Sequence, residues 1–221
     1  ILGSASSITL TDNALLQSIW LAGSRQIPNW YFSNLKSLTV DGCPFLSDVV
    51  LPFFLLPNLI NLQKLKVRNC GSVKSIFDVK CITQETERKP LPFALKKLTL
   101  RNLPKLENVW NEDPHGILST QLLRQVSVDN CECLTSVFPA SVAKDLVKLE
   151  DLRVKHCEEL MEIVAEDNTN PRGANLELTF PCPCVRSLEL KGLPKFKYFY
   201  YCALQCDMFE TGTEDQVCDE K

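Results

Sequence analysis

The stretch Cys131–Val164, CECLTSVFPASVAKDLVKLEDLRVKHCEELMEIV, decides the fold. Cys131 is followed at three-residue steps by Leu134 and Val137, and then by Phe138; 26 residues later Cys157 is followed in the same way by Leu160, Ile163 and Val164. The likeness extends upstream, to Leu123, Val126 and Val128 in one copy and Leu149, Leu152 and Val154 in the other. The unit is therefore a set of apolar residues at offsets 0, 3, 5, 8, 11, 14 and 15.

The same frame fits five more times. It starts at Ala5, Leu35, Leu62, Leu95 and Val185, as well as at Leu123 and Leu149. Starts are 30, 27, 33, 28, 26 and 36 residues apart. Of 49 apolar slots only Asn13 falls outside the apolar set, whereas a 45% hydrophobic chain would fill about 22 by chance. Offsets 3 and 5 lie two apart and share one face of a short strand. Strands of successive units stack in parallel, about 4.8 Å apart. Offset 8 falls in the turn that follows, where a small group can meet the turn's backbone, and offsets 11, 14 and 15 point back in from the far side. No unit can bury its apolar face alone, so each depends on its neighbours. A period in the twenties to thirties reading L-x-x-L-x-L-x-x-C/N-x-x-L is the leucine-rich repeat signature. The predicted fold is an α/β solenoid, with a curved parallel sheet on the concave side and irregular loops and short helices on the convex side.

Residues 1–200 form that solenoid, in about seven irregular repeats; residues 201–221 read as an acidic, aromatic-poor, disordered tail. Pro139–Val147 opens on proline and continues in helix formers, which predicts a short helix. The longest return segments, 78–92 and 165–181, are polar and proline-containing and read as convex-side loops. The opening residues ILGSASSITL have neither an initiator methionine nor a basic segment, so they read as internal to a longer protein. No apolar run is long enough to span a bilayer. Eleven cysteines, an odd and scattered number, make a poor disulfide framework, and Asn-x-Ser/Thr is absent. Both features favour a reducing, cytoplasmic setting.

The phrases LKKLTLRNLPKLENVW, VDNCECLTSVFPASVAKDLVKLEDLRVKHCEELMEIV and LTFPCPCVRSLELKGLPKFKYFY resemble one family over roughly residues 5–200. Their C-x-x-L cadence, closed by a V-F or I-V pair, is similar to the C-terminal leucine-rich repeats of plant coiled-coil nucleotide-binding (CC-NB-LRR) disease resistance proteins. The resemblance implies a recognition and autoinhibitory domain of an intracellular immune receptor. Its partners would be a pathogen effector or a modified host protein, and the receptor's own nucleotide-binding domain. It implies ADP or ATP only in that other domain; no G-x-x-x-x-G-K-[ST] loop occurs here, and no cofactor is expected in this chain. The alternative is the substrate-recognition repeat of an F-box ubiquitin-ligase adaptor, which also uses cysteine in the turn slot. A cell-surface ectodomain is disfavoured by the missing glycan acceptors and flanking cysteine pairs.

No enzyme is expected. Cys43, Cys70, Cys131 and Cys157 share offset 8, which reads as a buried small apolar residue rather than redox or metal chemistry. Cys182, Cys184, Cys202 and Cys206 lack zinc-ligand spacing. His115 and His156 have no nucleophile or carboxylate at a catalytic spacing, and His156 reads as a turn residue on the concave rim. The outward positions of each copy, offsets 1, 2, 4, 6 and 7, carry twelve basic and six acidic residues, a +6 stripe on a chain of net charge −3. Candidate binding residues are Lys64, Lys66, Arg68, Lys96, Lys97, Arg101, Arg124, Arg153, Lys155 and Arg186. Two readings stay open: a surface for an acidic protein partner, or a solvated face. Nucleic acid and membrane are not expected partners.

Overall fold

Each predicted offset-3-to-5 pair lies in a strand of the computed structural model, which describes residues 4–19, 31–46, 48–79, 90–114, 118–165 and 184–200. Among the described residues seven five-residue strands carry those pairs: β1 (Ser7–Thr11), β2 (Ser37–Asp41), β4 (Lys64–Arg68), β7 (Lys97–Arg101), β10 (Gln125–Asp129), β12 (Asp151–Lys155) and β14 (Ser187–Lys191). They form one parallel sheet in the order β1-β2-β4-β7-β10-β12-β14, and the register never slips. Leu38 faces Leu65, Leu65 faces Leu98, Leu98 faces Val126 and Val126 faces Leu152, so equal offsets stack in columns. A one-residue slip would turn every apolar side chain to water; the period-2 alternation of each strand fixes the column.

The far side of each coil is more regular than predicted. Offsets 13 to 15, or 14 to 16 in the second coil, are themselves extended and pair from coil to coil. Strands β3 (Val49–Leu51), β5 (Ser75–Phe77) and β8 (Asn108–Trp110) make one small parallel sheet. Strands β11 (Ser136–Phe138), β13 (Glu162–Val164) and β15 (Tyr198–Tyr200) make another. The expectation of irregular loops there missed these ladders, because three-residue strands are too short to show alternation. Their inward residues build an aromatic column: Phe77 stacks on Trp110 at 5.2 Å, and Trp110 lies 6.0 Å from Phe138. In the segment expected to be a loop, Leu91–Pro92 (β6) pairs with Leu118–Ser119 (β9).

The proline-led helix forms as α1 (Ala140–Asp145), with Pro139 at its N-cap position. Pro139 offers no side-chain cap; instead Asp113, from the preceding coil, accepts from the Ser141 backbone N–H at 3.1 Å and from the Ser141 hydroxyl. A 3-10 helix, Phe53–Asn58, fills the return of the second coil and buries Leu55 and Leu56. The core is continuous along coils two to six. At the last coil it opens: Leu188 occupies the same slot as the fully buried Leu98 yet is 50% exposed. The polar remainder of 78–92, most of 165–181, His115, Cys182, Cys202, Cys206 and the tail 201–221 lie outside the described residues.

Candidate interaction surface

Two turns hold the concave face in shape, and both are written in the repeat. At offset 7 every coil turns through positive φ: Asp12, Gly42, Asn69, Asn102, Asn130, His156 and Gly192, between 49° and 64°. Glycine, asparagine and aspartate are the residues that visit this region at least cost. At Gly42 and Gly192 crowding adds to the requirement. A Cβ there would meet Asp12 Oδ1 at 2.5 Å and His156 Cδ2 at 2.8 Å. Each of these turns donates its N–H to the offset-6 carbonyl of the next coil, from Asp12 to Asp41 through His156 to Lys191. Asn130 donates to Asn102 at 3.2 Å, Asn102 to Asn69 at 2.7 Å and Asn69 to Asp41 at 2.6 Å, so their side chains form a ladder along the rim. Reading the sequence for apolar slots alone missed this column, although its D, G, N, N, N, H, G succession carries the signal.

One residue on, the cysteine slot points inward. Cys43, Cys70, Cys131 and Cys157 are fully buried. Each directs its S–H to the carbonyl two residues back, at 3.6, 3.0, 3.8 and 3.2 Å. That is the small-group-to-turn contact the slot requires. Burial pushes the Cys70 thiol up to about 11. A side-chain hydrogen bond with Cys157, and then burial, push Cys131 up as well, while the same bond lowers Cys157; Cys70 and Cys131 therefore stay protonated at neutral pH. Among the described residues no group of three or more His, Cys, Asp or Glu side chains is placed to hold a metal ion. His156, on the rim as expected, has its Nδ1 3.0 Å from Asp129 Oδ1.

The ten stripe residues all lie on or beside the concave strands, but they divide into two kinds. Arg68 meets Asp41 at 2.5 Å, Arg101 meets Asp129 at 3.3 Å and Arg124 meets Glu150 at 2.5 Å. Arg153 meets Asp151 at 2.9 Å, and Lys155 meets Glu189 at 2.7 Å. The Lys155 ammonium holds the Glu189 carboxyl below its usual range. Four of these five pairs join adjacent coils, so the acids counted within the stripe neutralise it locally.

Lys64, Lys66, Lys96 and Lys97 form no ion pair within the described residues, nor does Arg186 on the last coil. The four lysines sit together. Lys64 faces Lys97 directly in register, Lys66 faces Thr99, and Lys96 adjoins Lys97. Around them the concave columns read Ser37, Lys64, Lys97, Gln125 and Thr39, Lys66, Thr99, Ser127, without a carboxylate. Backbone bonds link Gln63 to Lys36 and Lys96 to Gln63, which brings Lys36 to the same edge. The nearest acids of the flanking strands, Asp41 and Asp129, sit at offset 6 and are taken by Arg68 and Arg101. Arg186 apart, the uncompensated positive charge among the ten residues is thus narrower than the sequence indicates, a corner of coils two to four.

Comparison with family models matches residues 4–158 to plant disease resistance protein RPS2-like, leucine-rich repeats. No curated protein and no solved structure matches the chain. The repeat frame, the in-register solenoid and this match agree: the chain belongs to the RPS2-like leucine-rich repeat family of plant disease resistance proteins.

Proposed function

We propose that this chain is the recognition and autoinhibitory domain of an intracellular, cytoplasmic plant immune receptor. It binds a pathogen effector or an effector-modified host protein, and at rest it restrains the receptor's nucleotide-binding domain. Leucine-rich repeats of this family are protein-interaction modules without chemistry of their own, and ADP or ATP belongs to the nucleotide-binding domain. The observation that carries the reading is the lysine corner. Lys64 and Lys97 face each other across β4 and β7 with no acid to relieve them, and like charges directly opposed in a sheet are destabilising. An acidic protein surface laid over coils two to four supplies the missing counter-charge.

The test replaces Lys64, Lys66, Lys96 and Lys97 by Glu in the full receptor and leaves the paired Arg68 and Arg101 intact. Cell death in leaf tissue without a pathogen identifies the corner as a restraint on the nucleotide-binding domain. A quiet receptor that no longer answers its effector identifies it as the recognition surface. A variant that folds, rests and responds like the wild type makes the corner a solvated face and overturns the proposal.

A further inference from the structure

We infer that the lysine corner is a phosphoryl site: the protein partner meets it through a phosphorylated serine or threonine. This rests on the reading of the corner as a recognition surface and names the chemistry that the surface takes.

Three pairs of cations face each other in register across the concave sheet, and two of them carry their own counter-charge. Arg68 faces Arg101, with Asp41 held by the first and Asp129 by the second. Lys155 faces Lys191 on the last coil, with Glu189 seated 2.7 Å from Lys155. Lys64 faces Lys97, and no carboxylate among the described residues forms an ion pair with either. Arg186, also without an ion pair there, adjoins an acid: its backbone N–H donates to the Glu150 carbonyl at 2.8 Å. The Lys64–Lys97 pair is thus the facing pair that lacks an anion, and Lys66 and Lys96 stand beside it on the same two coils.

Around the pair every concave position can donate a hydrogen bond. From β1 to β10 the ten positions at offsets 2 and 4 hold three lysines, six serines or threonines and Gln125. The run stops at β12, where Asp151 and Arg153 take these offsets. Adjacent strands lie about 4.8 Å apart, so the two exposed ammonium groups can close on one anion. A carboxylate brings one charge to two; a phosphoryl group brings about −1.5 to −2 at neutral pH, and three acceptor oxygens. Side-chain type points the same way. On the concave face of coils three to six each arginine, whose planar fork fits a carboxylate, holds a carboxylate of this chain. What is left open is lysine, a point charge that meets phosphoryl oxygens from any direction.

Fluorescence anisotropy of the full 221-residue chain tests this with labelled glycine–alanine peptides that differ only at the central residue: phosphoserine, glutamate or serine. In about 0.1 M salt, where charges act over about 10 Å, the phosphoserine peptide should bind at least about tenfold more tightly than the glutamate peptide, equivalent to about 1.4 kcal/mol. Lys64→Gln combined with Lys97→Gln should erase that preference. Arg186→Gln combined with Lys191→Gln should keep it. Equal affinities for phosphoserine and glutamate in the wild-type chain refute the inference without any variant having to fold. A preference that survives loss of Lys64 and Lys97, or disappears with Arg186 and Lys191, refutes it as well. The two readings fail separately. Glutamate bound as tightly as phosphoserine, and lost with Lys64 and Lys97, ends the phosphoryl site and leaves an acidic partner. A receptor indifferent to reversal of the lysines ends the recognition proposal and leaves the phosphoserine preference in place.

Discussion

Leu98→Ala is the sharpest test of the register, because its slot has a built-in control. Leu98 lies at offset 3 of β7, is fully buried, and stacks between Leu65 and Val126. Truncation removes three carbon groups at about 0.8 kcal/mol each, a transfer loss of about 2 kcal/mol. The neighbours are pinned by the ladders on both sides and cannot collapse into the gap, so a cavity term of similar size is added. The sum, about 4 kcal/mol, falls within the range observed for buried leucines. Leu188 fills the same offset at the open end of the sheet and is 50% exposed. It loses about half the transfer term and leaves no enclosed cavity, so Leu188→Ala should cost about 1 kcal/mol. Urea unfolding followed by far-ultraviolet circular dichroism measures both. Equal costs for the two, or a Leu98→Ala midpoint indistinguishable from wild type, would show that burial does not follow the columns described.

Three other outcomes are expected. Asn102 holds φ at 52° and both donates and accepts in the rim ladder; Asn102→Val should cost about 2 kcal/mol, and Asn102→Gly clearly less, by the same unfolding measurement. Cys70 is raised from 9.0 to about 11 by burial; its contribution to stability is complete below pH 9 and is lost as pH rises through 11. Unfolding midpoints should therefore fall between pH 9 and 11, a loss that Cys70→Ala reduces. Lys97→Glu exchanges the facing lysine pair for an attractive one, so it should raise stability by a few tenths of a kcal/mol at low salt, with the gain fading as salt is added.

The seven strands, the column register and the helix after Pro139 were legible because each rests on a periodicity that the sequence states repeatedly. Leu38, Leu65, Leu98 and Leu152 are interchangeable instances of one slot, and an error in any one would have broken the others. The far-side sheets were not legible, because Ser75–Phe77 or Glu162–Val164 is a strand only by virtue of a neighbour about thirty residues away. The site was legible in composition but not in pairing. Counting charge by offset placed all ten cations on or beside the concave strands. It could not foresee that Asp41 and Asp129 would be within reach of Arg68 and Arg101 while Lys64 and Lys66 were left without a carboxylate. That outcome depends on side-chain length and on which offset the acid occupies in the adjacent coil.

The division of the concave face has a physical consequence. Exposed ion pairs contribute little individually, so the pairs made by Arg124, Arg153 and Lys155 matter less for stability than for what they remove: they leave coils five and six with little net charge to attract a partner. On coils three and four the opposite holds. Lys64 and Lys97 stand in register at a position where serine or glutamine occupies the neighbouring strands. An uncharged residue there would relieve the repulsion at no cost to the core, because these side chains face away from it. A mid-array position that carries avoidable repulsion, beside strands that avoid it, is where a solenoid holds free energy that binding of an anionic surface can release.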